Sequence, residues 1–131
     1  MRMELQDLKA CAKIAKKHSL ISIIDNTYSS SIFQRPIELG IDIVVHSGTK
    51  YINGHSDIVC GVLCSSSAVI QQIFHSEFMT LGGIISPHDA AQVIKGLRTL
   101  PLRMKQTNAS AHKVCAFLEN HPAIEEIYYP H

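Results

Sequence analysis

The sequence predicts an α/β fold with a mostly parallel sheet flanked by helices. Three observations carry this. Short apolar runs rich in β-branched residues fall at Leu20–Ile24, Ile41–Val45 and Asp57–Ser65. Amphipathic helical periodicity lies before and after them, and segments rich in Ser, Gly and Pro separate the two kinds. Alternation of this kind buries strands between helical layers.

The first helix rests on Leu5, Leu8, Cys11, Ala12 and Ala15, with Lys9, Lys13, Lys16 and Lys17 mostly off that stripe. His18-Ser19 breaks the period, and "LISII" reads as a buried strand stopping at Asp25. "NTYSSSIFQRPIELG" reads as loop with one helical turn near Ile37 to Leu39, closed by Gly40. "IDIVV" is a second buried strand and "DIVCGVLCS" a third, followed by a helix from Ser67 to about Phe78. "MTLGGIISPHDA" is loop, and Ser86-Pro87 opens a helix to about Arg98, with Asp89 in its first turn. Pro101 is expected to open a last long helix that buries Leu102, Ala109, Val114, Phe117 and Leu118 and ends at His121-Pro122. "AIEEIYYP" reads as a closing strand. A bare helix at the start and an unpartnered strand at the end are unusual for a closed domain, so the sequence reads as a fragment of a longer chain.

Composition excludes several classes. The chain has 131 residues, 46% of them hydrophobic and 18% charged, which is ordinary for a globular domain with a real core. A net charge of +1 with dispersed basic residues leaves no footprint for nucleic acid or an anionic membrane. No apolar run approaches the roughly 20 residues of a membrane helix, and the first residues lack the apolar core of a signal peptide. Cys11, Cys60, Cys64 and Cys115 form no CxxC pair, which suits reduced thiols in the cytoplasm. Cys60 and Cys64, an even number apart on a strand, are expected to pack in the core rather than bind metal, and no metal site is expected.

In open α/β sheets ligands bind at the carboxyl ends of strands, and two polar clusters fall there: Asp25-Asn26-Thr27, and His46 to Lys50 in "HSGTKYINGHSD". Taken singly, a loop lysine is usually a solvated charge and an Asp after a strand a turn or helix cap. Together they offer an anion, hydroxyl donors and a primary amine. Pyridoxal phosphate (PLP) needs all three: an amine for its aldehyde, a carboxylate for its pyridinium nitrogen, and donors for its phosphate. A lysine with a reference pKa of about 10.4 must be desolvated, or placed near cations, to serve as that amine. A buried strand end is expected to supply this. "SGTK" does not fit a nucleotide phosphate loop, because the hydroxyls precede the lysine and no first glycine stands at the required spacing.

"DNTYSSSIFQRPIELGIDIVVHSGTKYINGHSD" resembles the cofactor-lysine segment of the Cys/Met metabolism PLP-dependent enzymes, the family of cystathionine synthases and lyases, methionine γ-lyase and homoserine sulfhydrylases. It carries Asp42, Ser47 and Gly48, Thr49-Lys50, Tyr51, Ile52 and Gly54-His55-Ser56 in order, and "LGGIISPHDAAQVIKGLRTLPLRM" resembles that family's downstream region. The resemblance implies part of a fold-type I, aspartate-aminotransferase-like large domain. In it Lys50 forms the internal aldimine and then moves protons on the substrate. Asp25 pairs with the pyridinium nitrogen, Ser47 and Thr49 bond the phosphate, and Thr27 approaches the ring. It further implies residues 1–103 as the C-terminal half of the PLP-binding domain, and 104–131 as the linking helix and first strand of a small domain. The implied whole is a homo-oligomeric carbon–sulfur lyase or γ-synthase acting on sulfur amino acids, of which this chain alone is inactive. The alternative is a non-catalytic remnant of the family. His55 is expected to make a structural hydrogen bond, and His18, His75, His88, His112, His121 and His131 to lie at the surface or at helix ends.

Overall fold

The computed structural model describes residues 4–130, so the expected surface position of His131 lies outside them. Asp7 caps helix α1 (Leu8–Lys17) by accepting from the Ala10 amide at 3.0 Å, and Lys16 and Lys17 sit in its last turn, where the helix dipole favours cations. Strand β1 (Ile23–Asp25) follows, then a four-residue helix α2 (Ser30–Phe33), which the sequence left as loop, and the expected turn as a 3₁₀ helix at Pro36–Leu39. Gly40 ends it at φ +97°, where a Cβ would meet the Ala12 Cβ at 3.3 Å. Both facts favour glycine.

β2 (Ile43–Ser47) pairs in parallel with β1, Ile23 opposite Ile43 and Asp25 opposite Val45. β3 (Gly61–Ser65) pairs antiparallel with β2, Ser47 opposite Gly61, so the sheet is mixed and runs β1-β2-β3. The expected α/β fold holds, and among the described residues the sheet departs from parallel only at β3. Its connection from β2 spans only residues 48–60, and the turn holding Lys50 takes 48–52 of them, leaving too few for a crossover helix. Of the three strands read as buried, only β2 is. Ile23 on β1 is 65% exposed and Leu63 on β3 40%; both strands are sheet edges among the described residues. Cys64 is exposed as well, so core packing does not explain it.

α1 covers β2 through a core of Leu8, Ala12, Ile41 and Val44, with Ile24 and Leu39 against it. Asp42 ties this layer together. Its Oδ2 accepts from the Ser22 amide at 2.8 Å and hydroxyl at 2.6 Å, its amide donates to Ser22 Oγ at 3.0 Å, and its carbonyl accepts from Ser65 Oγ at 2.6 Å. One residue thus links all three strands.

α3 (Ser67–Ile73) starts on the Ser66 cap and continues through a π turn (Phe74–Phe78) into α4 (Met79–Leu81). Ser86 caps α5 (Pro87–Glu119), accepting from the Asp89 amide at 3.1 Å. Two helices were expected where there is one. Pro101 sits inside α5 and removes a single i→i−4 bond without ending the helix. The expected buried stripe fails too: Leu102, Val114 and Phe117 are exposed, and the buried residues are Gly96, Leu100 and Met104. Spaced by four, these lie on one face, which packs on the Lys50 turn. No strand forms at residues 124–130, which lack a ladder partner among the described residues. Instead the Tyr129 ring meets the His112 ring of α5 edge-on, centroids 5.6 Å apart.

Candidate active site

Because β1 and β2 run in parallel, Asp25 and Ser47 lie at the same end of the sheet, the carboxyl end of both strands, and the expected convergence of the two polar clusters holds. An open cleft of ≈ 1290 Å³ lies there, lined by Asp25, Thr27, Ser47, Thr49 and Lys50. Arg103 of α5 also reaches it.

Alternation at the end of β1 separates two roles. Asn26 turns inward, only 2% exposed, and organises the loop behind the site: its Nδ2 donates to the Ser30 and Gln34 carbonyls at 3.1 and 2.9 Å, and its Oδ1 accepts from Gln34 Nε2 at 2.8 Å. Asp25 turns outward to the cleft. Thr27 donates to Asp25 Oδ1 through its amide at 2.9 Å and through its hydroxyl. Those two bonds, with a smaller contribution from His46, hold the Asp25 carboxyl below its ordinary value of 3.8 against slight desolvation. Both go to Oδ1, so Oδ2 is the oxygen open to a further donor. The Thr27 hydroxyl also accepts from the Ser47 amide at 2.7 Å, bridging the two strand ends. Thr27 was read only as a residue near the cofactor ring; its main contacts are to Asp25 and Ser47.

Beyond Ser47 the backbone enters a turn at Gly48–Ile52. A Cβ on Gly48 would stand 2.5 Å from Cys60 Sγ and 3.3 Å from the Cys60 carbonyl oxygen, so a side chain there would crowd Cys60. Thr49 grips the same neighbour. Its hydroxyl accepts from the Cys60 amide at 3.0 Å and donates weakly to the Cys60 carbonyl at 3.4 Å. Burial pushes the Cys60 thiol up, away from a reactive thiolate, with a smaller push from Asp89. At Lys50 the turn breaks, with φ −83° and ψ −113°, and the residue is exposed at the cleft. The expected desolvation of Lys50 is therefore not supplied by the residues around it.

His55 Nδ1 pairs with the Asn53 carbonyl at 2.8 Å, the structural bond expected of it. His46 had no role assigned from sequence. It is 8% exposed with Nδ1 unpartnered, and burial lowers its pKa below 6.5, opposed by the nearby Asp25 charge and a bond to the Asn26 backbone. Alternation along β2 puts it on the same side as buried Val44, toward the interior. Among the described residues no group of three or more His, Cys, Asp or Glu side chains converges to hold a metal ion, and no helix is long and apolar enough to cross a membrane.

The model of the Cys/Met metabolism PLP-dependent enzymes matches residues 1–131. The chain belongs to that family. It is 42% identical over 128 residues to cystathionine gamma-lyase of Bacillus subtilis (strain 168), covering 98% of this chain and 34% of that protein. L-methionine gamma-lyase of Pseudomonas putida is 43% identical over 129 residues, covering 98% and 32%. The crystal structure of cystathionine gamma-lyase from Lactobacillus plantarum complexed with L-serine superposes with a TM-score of 0.90 at 38% identity, covering 95% of this chain and 33% of that one. The chain thus spans about a third of the length of the relatives it matches. PLP is the family's cofactor. The donor set fits it: an ionised carboxylate with one oxygen open, hydroxyls at Ser47 and Thr49, and an exposed amine at Lys50 share one cleft.

Proposed function

We propose that this chain is the cofactor-lysine portion of a PLP-dependent carbon–sulfur lyase or γ-synthase of sulfur amino-acid metabolism. The observation that carries it is Lys50 and the Thr27-braced Asp25 facing one cleft at the end of parallel strands. Residues 1–103 belong to the PLP-binding domain, and from 104 onward α5 leads out of it.

When bound, PLP supplies an electron sink for breaking bonds on the substrate's carbons. Lys50 would hold its aldehyde through Nζ, and as a free amine the same Nζ would take protons from substrate carbons and return them. Asp25 would hold a proton at the ring nitrogen. Thr27 keeps Asp25 ionised for this, since its two donors to Oδ1 favour the carboxylate. Ser47 and Thr49 would donate to the phosphate; for Thr49 the weak 3.4 Å bond to the Cys60 carbonyl is the one it would give up. The named relatives are lyases acting on cystathionine or methionine, which supports a sulfur amino acid as substrate.

The enzyme works as a homo-oligomer in the cytoplasm, and the 131 residues alone do not turn over, because a third of the fold cannot orient the substrate. The test is a longer chain containing this segment. Release of ammonia and a keto acid from cystathionine supports the lyase. Incorporation of cysteine into an activated homoserine supports the synthase. Neither reaction, with no cofactor bound, refutes both and leaves a non-catalytic remnant.

A further inference from the structure

The break at Lys50 raises the question of what fixes the chain after it. Gly48–Ile52 closes on itself through the Asn53 amide to the Gly48 carbonyl at 2.9 Å and the Gly54 amide to the Lys50 carbonyl at 2.7 Å. The carbonyls of Tyr51 and Ile52, the two residues directly after the break, point elsewhere. Both accept from one side chain, Arg103 of α5: Nη1 donates to Tyr51 O at 2.7 Å and Nη2 more weakly to Ile52 O at 3.4 Å.

The guanidinium is itself aimed by α5. Its Nη2 also donates to the Gly96 carbonyl at 2.9 Å, and its Nε donates to the Thr99 hydroxyl at 3.0 Å, which in turn donates to the Gly96 carbonyl at 3.2 Å. Two glycines permit this approach. A Cβ at Gly54 would fall on the guanidinium, 2.5 Å from Cζ, and a Cβ at Gly96 would stand 2.5 Å from the Ile52 carbonyl oxygen. Arg103 lines the same cleft as Lys50.

We propose that Arg103 is a positioning residue that latches the Lys50 turn to α5, holding the backbone after the break so that the Lys50 amine faces Asp25 across the cleft. The inference rests on the reading of Lys50 as the cofactor lysine. A planar fork with five donors can serve two turn carbonyls, a helix carbonyl and a hydroxyl together; a lysine ammonium, with three donors at one point, cannot. Geometry rather than charge is what the position requires. α5 runs on for sixteen residues beyond Arg103 to Glu119, so the latch also ties the lysine to the helix that leads out of the domain.

The test compares Arg103→Met and Arg103→Lys with the wild-type chain by two readouts. The first is amide hydrogen exchange without cofactor. Loss of the latch speeds exchange of residues 48–54 about tenfold, the worth of one or two released bonds, while β2 and α1 are unchanged. The second is borohydride fixation of added PLP, where the share of label on Lys50 relative to the other lysines falls by about the same factor. The Lys variant behaves like Met in both. If Arg103→Met does not fold, Thr99→Val, which frees the guanidinium without removing it, gives the same changes at about threefold. Unchanged exchange at 48–54, or a Lys variant equal to wild type, overturns the proposal. Absence of label on Lys50 in the wild type refutes instead the reading of Lys50, while the exchange arm still decides the latch.

Discussion

Gly96→Ala is a change whose sign the structure decides. At an open face of a helix, Gly to Ala stabilises by about 1 kcal/mol. At Gly96 the three atoms the new Cβ would meet first are all main-chain: the Ile52 carbonyl oxygen at 2.5 Å, the Asn53 Cα at 2.8 Å, and the Asn53 carbonyl oxygen closer still. No side chain can rotate away, so α5 or the Lys50 turn must move. Overpacking a close contact costs about 1–3 kcal/mol, and contact with backbone belongs at the upper end. Set against the propensity gain, the expected net loss is about 2 kcal/mol. Urea unfolding shows it as a lower midpoint at unchanged slope. Gly83→Ala, with nothing within 4 Å of its Cβ, is the control and stays within about 0.5 kcal/mol of wild type. A Gly96→Ala chain more stable than wild type would refute the close packing of α5 on the turn.

Three further changes test other parts. Asp42→Ala removes the acceptor of two Ser22 bonds and lowers stability by about 1–2 kcal/mol in the same urea assay; a loss near zero would mean that Asp42 does not link the strands. Thr27→Val deletes the Asp25 hydroxyl bond and the acceptor of the Ser47 amide, so the Asp25 pKa, followed by NMR, rises toward 3.8, and an unmoved value contradicts the bracing role. Stability falls with acid in two windows. His46 has a lowered folded pKa, so the unfolded chain takes up its proton first and stability declines as pH drops below 6.5; Asp25 and Asp42, also lowered, add a loss as pH drops below 3.8. In His46→Gln the upper window vanishes and the lower remains, and urea midpoints across pH check both.

The strand-end rule made Asp25, Ser47 and Lys50 legible, because apolar runs that stop abruptly at polar residues mark where a sheet opens to a ligand. It could not divide Asp25 from Asn26, since which of two adjacent residues faces the cleft depends on where β1 pairs with β2. The direction of β3 was available in principle: the stretch 48–60 is short for a crossover when Lys50's turn occupies it. Pro101 does not end the helix. A proline removes one bond, and thirty-two other helical residues outvote it when Leu100 and Met104 are buried on either side. Arg103 carried no local signal at all. Its four acceptors lie at Tyr51, Ile52, Gly96 and Thr99, and a contact spanning 52 residues is invisible to spacing and periodicity.

The reading of Lys50 as the working amine is tested most directly by borohydride reduction of the chain with PLP, followed by peptide mass mapping. It predicts a single pyridoxyl group on Lys50 and none after Lys50→Ala. Label spread equally over Lys9, Lys13, Lys16 and Lys17, or an absorbance band untouched by Lys50→Ala, would contradict it.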